Sequence, residues 1–477
     1  MSGRLTLRTQ GNSVEIPFLG EPLLMEVLQA RGVSFAHPCG GRGVCGKCAV
    51  QAWGKLSPPD EAEQKHGVRL SCRMRLMGDC EVVLQTPAGF TWQVCGAQGA
   101  SSLAMAADIG TTTLELRLFD AQTGAPYAGA SMLNPQANTA ADVVGRVSAA
   151  LSGKASQLQK SVLEALSSMT AGLPPVTRAV ITGNTVMLTL LTGRSVQAFA
   201  AAPFPVECLF GHTEAVLGFP AYLPPAIGAF TGADLTCAVL SSGIMERGET
   251  ALLCDVGTNG EIALWHGGTL YVASTAVGPA FEGAGISCGM GGVPGAIDKA
   301  WTAQNALDFH VIGGGEARGF CGSGLVDAVA VLLRLGWIDE YGAMEDERIA
   351  VAPGVVLTRQ DIRQVQLAKA AVAAGIETLL GAAGVAVEEL QTLFIAGGFG
   401  SHLNTRSAAA IGLFPRVLAA KAQVLGNAAL EGACLLLQNE TLRETAGRIA
   451  AAARQVTLSG NPLFADAFIG HMNFPFS

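Results

Sequence analysis

The chain has 477 residues, 49% apolar and 14% charged, which is enough to bury large cores and too apolar for disorder. Its net charge of −8 argues against a nucleic-acid-binding surface, which needs a basic face. No charged start followed by an apolar run opens the sequence, and no uninterrupted apolar stretch of about 18 residues occurs, so neither a signal peptide nor a membrane span is expected and a cytoplasmic location is. In that setting twelve cysteines point to metal or redox work more than to disulfides.

Residues 4–17 read as a hairpin turning at Gly11-Asn12, with Leu5, Leu7, Val14 and Ile16 alternating. Residues 21–31 read as a short helix with Pro22 early and Leu23, Leu24, Val27 and Leu28 on one face. A glycine-rich loop with Cys39, Cys45 and Cys48 follows, then a strand near 47–52, Cys72, and a strand over 81–84. Residues 86–103 look like a linker. From Ala104 the pattern changes to β-rich runs, glycine loops and alanine-rich helices. Two similar phrases stand out there, Asp108-Ile109-Gly110-Thr111-Thr112-Thr113 and Asp255-Val256-Gly257-Thr258-Asn259-Gly260. Each follows an apolar run and precedes an alternating strand, which suggests a duplicated fold. A capping box, Thr358-x-x-Asp361, starts a long helix. The strand 393–396 then runs into Gly397, Gly398 and Gly400.

Cys39-x5-Cys45-x2-Cys48 with Cys72 is the most specific signal. Four thiolates can hold two irons bridged by two sulfides. Glycines at 40, 41, 43 and 46 let the backbone wrap a cluster and donate N–H groups to sulfur. Zinc is the alternative, but it usually takes C-x2-C pairs at both ends, and only one pair exists here. On HPCGGRGVCGKC and LSC, residues 3–85 resemble a [2Fe–2S] ferredoxin. The resemblance implies a β-grasp fold and Cys39, Cys45, Cys48 and Cys72 as ligands. Cys80 and Cys95 fall outside it and read as buried or half-buried thiols.

An Asp-Val/Ile-Gly-Thr phrase after a strand can serve phosphate. Its glycine admits phosphate oxygens, the following N–H and hydroxyl groups donate to them, and the aspartate can hold Mg²⁺ through water or orient an attacking water. Two such phrases and the late glycine run resemble the actin, sugar-kinase and heat-shock-chaperone ATPase superfamily. That resemblance implies Asp108 and Asp255 as the catalytic carboxylates. Gly110, Thr111, Thr112 and Thr113 would form the first phosphate loop, and Gly257, Thr258, Asn259 and Gly260 the second. Gly397, Gly398 and Gly400 would form the adenosine loop. Glu282, in the glycine-rich stretch 274–285, is a further candidate contact. Gly183-Asn184, Gly232 with Asp234, and Gly322-Ser323-Gly324 read equally as turns or nucleotide contacts. Lys369 reads as a solvated or cleft-edge charge. No Gly-x4-Gly-Lys-Ser/Thr loop occurs, which disfavours a Walker-type ATPase.

The expected fold is α+β and α/β: an N-terminal β-grasp [2Fe–2S] ferredoxin domain over 1–86, a linker over 87–103, and a duplicated RNase-H-like ATPase over 104–248 and 249–477. The phrases DIGTTT, NPQ, TGNTVM, DVGTNGE, GPAFEGAGISCGMGG, GFCGSGLVD, LAKAAVAAGI, IAGGFGSHL, GNAALEGA and MNFP resemble the reductive activators of corrinoid proteins over nearly the whole chain. This implies ATP-dependent delivery of one low-potential electron from the [2Fe–2S] cluster to Co(II), regenerating Co(I). MgATP would be consumed, and the partners would be a methyltransferase-associated corrinoid protein and a reductant such as a ferredoxin or flavoprotein. A homodimer is compatible with it. The competing reading is an ATP-dependent activator of another low-potential or radical metalloenzyme. The linker is short and no C-terminal [4Fe–4S] motifs occur, so the [2Fe–2S] cluster is the one electron carrier expected.

Overall fold

The computed structural model describes residues 2–9, 12–30, 48–66, 68–83, 93–94, 99–398 and 402–475. Cys39, Cys45, Cys95, Gly400 and most of the expected linker lie outside them. The chain divides into two compact units, one of residues 1–95, 111–114 and 128–173 and one of residues 96–110, 115–127 and 174–477.

In the first unit, Ser2–Thr9 and Asn12–Leu19 form the expected hairpin, with Leu5 opposite Ile16 and Leu7 opposite Val14. The strand Leu76–Val83 runs parallel on the other side of Ser2–Thr9, and Ala49–Leu56 then Arg69–Leu70 complete a mixed five-stranded sheet. The helix Leu24–Ala30 lays Leu24, Val27 and Leu28 into a core with Leu5, Leu7, Ile16, Val50, Leu70 and Val82. Burying each such side chain stabilises the fold by roughly 1.5–3 kcal/mol. This sheet crossed by a helix is the expected β-grasp arrangement. The helix begins three residues later than the sequence suggests because the segment before it serves the sheet. The Pro22 carbonyl accepts from Leu76 N at 3.0 Å, and Leu23 bridges to Arg75. Further along this unit, the strand Gln93–Val94 pairs antiparallel with Ala128 and Gly129. The helix Ala155–Thr170 buries Leu158, Val162, Leu166 and Met169.

The second unit carries the duplication. In one sheet Leu103–Ile109 lies between Val176–Gly183, parallel to it, and Thr113–Asp120, of which residues 115–120 belong to this unit, and Phe219–Leu223 follows parallel beyond Val176–Gly183. In the other, Ala251–Val256 lies between Thr392–Ala396, parallel, and Asn259–His266, and Ala422–Gly426 follows parallel beyond Thr392–Ala396. The same order therefore occurs twice, with Asp108 and Asp255 near the ends of equivalent strands. Both strands are continuous apolar runs because both faces are covered.

The helix Arg359–Ala383 has the expected capping box. Thr358 Oγ1 accepts from Asp361 N at 3.2 Å, and Asp361 Oδ2 accepts from Thr358 N at 2.9 Å. It is long and apolar enough to cross a membrane, yet 78% of its most apolar window is buried inside the protein. Lys369, on this helix, is not solvated. It is 1% exposed, donates to the carbonyl of Asn473 and stands 5.3 Å from the Phe474 ring centre. Burial pulls its pKa down to about 8. The helices Ala233–Ser242 and Ala428–Gln438 cross at Gly432, where a Cβ would sit 2.2 Å from the Cys237 carbonyl oxygen.

Candidate nucleotide site and cluster-binding cysteines

Asp108 and Asp255 do not stand alone. Asn427 caps the helix Ala428–Gln438 through Oδ1, which accepts from Leu430 N at 2.8 Å. Its Nδ2 reaches Asp108 Oδ2 at 3.1 Å and Glu115 Oε2 at 2.9 Å. Asp234 sits in the first turn of Ala233–Ser242 and accepts from Leu235 N at 2.8 Å. Glu261 pairs in register with Asp255 and is 8% exposed.

Burial and mutual repulsion push these carboxylates toward their protonated forms. For Asp108 burial acts most, then the charge of Asp234, with Asp255 and Glu115 adding and Asn427 opposing. Burial, Asp234 and Glu282 raise Asp255 to about 7. Burial raises Asp234 to about 6 against the backbone N–H groups that hold it. Glu261 is raised well above its usual range by burial, Asp234, Asp255 and Asp108. Carboxylates this close cannot all ionise unless a cation joins them. Among the described residues no three His, Cys, Asp or Glu side chains converge tightly enough to ligate one ion directly.

At the second loop, Thr258 donates its backbone N–H and its hydroxyl to Glu282, at 2.9 and 2.8 Å. Gly257 N donates to the Asn259 carbonyl at 3.0 Å, and Gly278 N to the Thr258 carbonyl at 2.9 Å. Asn259 and Gly260 open the strand that follows, with Gly260 buried. Gly397 lies against this loop. Its φ is +95°, and a Cβ there would come within 2.7 Å of Asp255 Oδ1 and 2.8 Å of the Val256 carbonyl oxygen, so only glycine fits. Gly398 follows it.

Of the first loop, Gly110 belongs to the second unit and Thr111, Thr112 and Thr113 to the first. The Thr111 carbonyl accepts from Arg146 Nη2, and the Thr112 carbonyl from Asn134 N at 2.8 Å. Thr113 starts its strand and is exposed. Asn184 caps the helix Thr185–Leu191, accepting from Val186 N at 3.1 Å, which is the turn reading of Gly183-Asn184.

The sulfurs of Cys48 and Cys72 lie 3.2 Å apart and both residues are buried. Metal–thiolate bonds of ~2.3 Å at a tetrahedral angle set two thiolates roughly 3.8 Å apart, so a shift of a few tenths of an ångström suits this pair to one iron. Cys80 is buried, and its thiol is pushed up to about 11 by burial and Asp79, as befits a structural residue.

Sequence reasoning missed Glu115, Glu261 and Asn427 and left Asp234 undecided. Two signals were present: Glu261 is an acid directly before the apolar run 262–265, and Asn427 immediately precedes an apolar helix.

Residues 7–77 match the model of a 2Fe–2S iron–sulfur cluster binding domain, 103–247 that of the RACo middle region, and 249–477 that of the C-terminal ASKHA domain of RACo. The chain is 31% identical over 418 residues to the corrinoid activation enzyme RamQ of Eubacterium limosum, covering 78% of this chain and 70% of that protein. It is 28% identical over 283 residues to the [Co(II) methylated amine-specific corrinoid protein] reductase of Methanosarcina barkeri, covering 51% of this chain and 52% of that one. A solved reductive activator for corrinoid,iron-sulfur protein superposes with a TM-score of 0.73 at 24% identity, covering 99% of this chain and 98% of that one, and so shares the fold. By these matches the chain belongs to the RACo family of corrinoid-protein activators.

Proposed function

We propose that this chain reductively activates a corrinoid protein at the expense of ATP, passing one electron to Co(II) and regenerating Co(I). The observation that carries the reading is the joining, in one chain, of a buried thiol pair in a 2Fe–2S domain and a carboxylate cluster at the ends of two duplicated strands. Cys39, Cys45, Cys48 and Cys72 hold the cluster, which supplies a one-electron carrier at low potential. The domains are 1–86 for the cluster, 104–248 and 249–477 for the ATPase, with 87–103 between.

Asp108 and Asp255 hold hydrated Mg²⁺ and orient the attacking water. Asp234 and Glu261 hold protons or share the cation's field. Thr111, Thr112, Thr113, Thr258 and Asn259 line the phosphates, with Gly110, Gly257 and Gly260 giving them room. Gly397, Gly398 and Gly400 border the adenosine. Glu282 holds Thr258 until phosphate takes its donors. An unfavourable electron transfer proceeds when nucleotide binding and release are coupled to it. A ferredoxin or flavoprotein supplies the electron, the protein works in the cytoplasm, and a homodimer is compatible with the reading.

The test pairs two variants in anaerobically purified protein. Asp255→Ala abolishes ATP hydrolysis and leaves the visible cluster spectrum intact, and Cys45→Ala does the reverse. Normal hydrolysis by Asp255→Ala overturns the assignment.

A further inference from the structure

Arg146 is fully buried, one of the largest side chains to be so, and plays no part in the chemistry above. It lies on the helix Val143–Ala149, whose first turn is capped by Asp142 Oδ1 accepting from Gly145 N at 2.7 Å. Its guanidinium donates to three acceptors on two stretches of chain: the Ala140 carbonyl at 3.2 Å and Gln136 Oε1 at 3.1 Å in one, and the carbonyl of Thr111 in the other. Gln136 is itself 1% exposed and donates onward to the Leu158 carbonyl at 3.0 Å. Asn134, also fully buried, adds its backbone N–H to the carbonyl of Thr112.

Burying a guanidinium is costly, and an apolar side chain would fill the same space without that cost. What the guanidinium adds is a planar fork with fixed donor directions and a charge that does not titrate. Here both are spent under Thr111 and Thr112, the residues read above as phosphate ligands. These belong to the same compact unit as the iron–sulfur domain, while Gly110 before them and Glu115 after them belong to the other. Within the first unit the connection continues: Asn134 follows the strand Pro126–Leu133, and Ala128 and Gly129 of that strand pair with Gln93 and Val94, just beyond the cluster domain.

We infer that Arg146 is the positioning residue that couples phosphate occupancy of the first loop to the iron–sulfur domain. Phosphate arriving on Thr111–Thr113 draws on the loop backbone and on the buried positive charge beneath it. Arg146 passes that displacement to the 134–140 turn and the strand before it. The inference rests on the proposed function, since it needs nucleotide at that loop.

The experiment uses the full-length, cluster-loaded protein with Mg²⁺ and a non-hydrolysable ATP analogue, and a second assay adds MgATP and a Co(II) corrinoid protein. Analogue affinity is measured by calorimetry, and hydrogen exchange is followed over peptides covering 128–140. In the unaltered protein the analogue is expected to slow exchange there at least threefold. Arg146→Lys keeps the charge and loses the fork; it should still bind the analogue, keep the cluster spectrum and lose the slowing. It should also hydrolyse at least tenfold more ATP per Co(II) reduced, a ratio that a loss of stability alone does not move. Binding without slowing in the unaltered protein, or full slowing and an unchanged ratio in Arg146→Lys, overturns the inference alone. Failure of the unaltered protein to bind the analogue overturns the proposed function with it. Should Arg146→Lys not fold, Gln136→Leu takes its place: a reduced slowing supports the coupling, and a full one contradicts it.

Discussion

Thr258 gives both its backbone N–H and its hydroxyl to one carboxylate, that of Glu282, at 2.9 and 2.8 Å. These are the donors expected to meet phosphate, so Glu282 is an internal anion in the place of an external one. Its charge also raises Asp255. Glu282→Gln removes the charge and keeps one acceptor. Binding of metal-free ATP should strengthen by roughly threefold to tenfold, the worth of about one ordinary hydrogen bond, because a neutral acceptor competes less than a charged one. Isothermal titration of the two proteins measures this; weaker binding by the variant contradicts it.

Asp255 ties stability to pH. Its folded pKa of about 7 lies above the unfolded value of about 3.9, so the folded state binds more protons between those values. That contribution stabilises the fold at low pH and is lost as pH rises through about 7. Asp255→Asn removes the titration. Without Mg²⁺, the variant should gain on the natural protein by roughly 2–4 kcal/mol between pH 4 and pH 8. Denaturant melts at both pH values test it, and parallel curves contradict it.

Asn427 stabilises two things at once, a helix start and a pair of carboxylates. Asn427→Ala removes the cap of Ala428–Gln438 and the donor shared by Asp108 and Glu115. A cost of about 1–3 kcal/mol is expected. Because Asp108 loses a donor that opposes its protonation, ATP hydrolysis should also shift to higher pH. A pH–rate profile of the variant checks the second effect.

The buried cysteines should divide cleanly. Cys48→Ser and Cys72→Ser should each lose bound iron and the electron paramagnetic resonance signal of the reduced protein, with nucleotide binding retained. Cys80→Ala removes a core sulfur with no metal role and should keep two irons per chain. Iron analysis of anaerobically prepared protein decides, and loss of iron in Cys80→Ala contradicts the division.

What the sequence reveals of this site is what is local. The two Asp-Ile/Val-Gly-Thr phrases are each a strand end plus its turn, so Asp108 and Asp255 stand out. The hairpin, the capping box at Thr358 and the burial of Cys80 are local in the same sense. The rest of the acidic cluster is assembled from afar. Asn427 lies 319 residues beyond Asp108, and its helix comes alongside by packing on the strand that carries Asp108 and by crossing Ala233–Ser242 at Gly432. Glu261 becomes part of the site through its register with Asp255, which a single strand does not display. The helix over 21–31 is read too early because Pro22 and Leu23 are claimed by a strand some 50 residues on, a contact no periodicity contains. Lys369 is misread because its partner is the carbonyl of Asn473 at the far end of the chain.

Delivery of the electron should depend on nucleotide. Protein with its cluster reduced beforehand is mixed anaerobically with a Co(II) corrinoid protein, with and without MgATP, and the cobalt spectrum is followed. Formation of Co(I) only when MgATP is present is the expected result; equal formation without nucleotide contradicts the account.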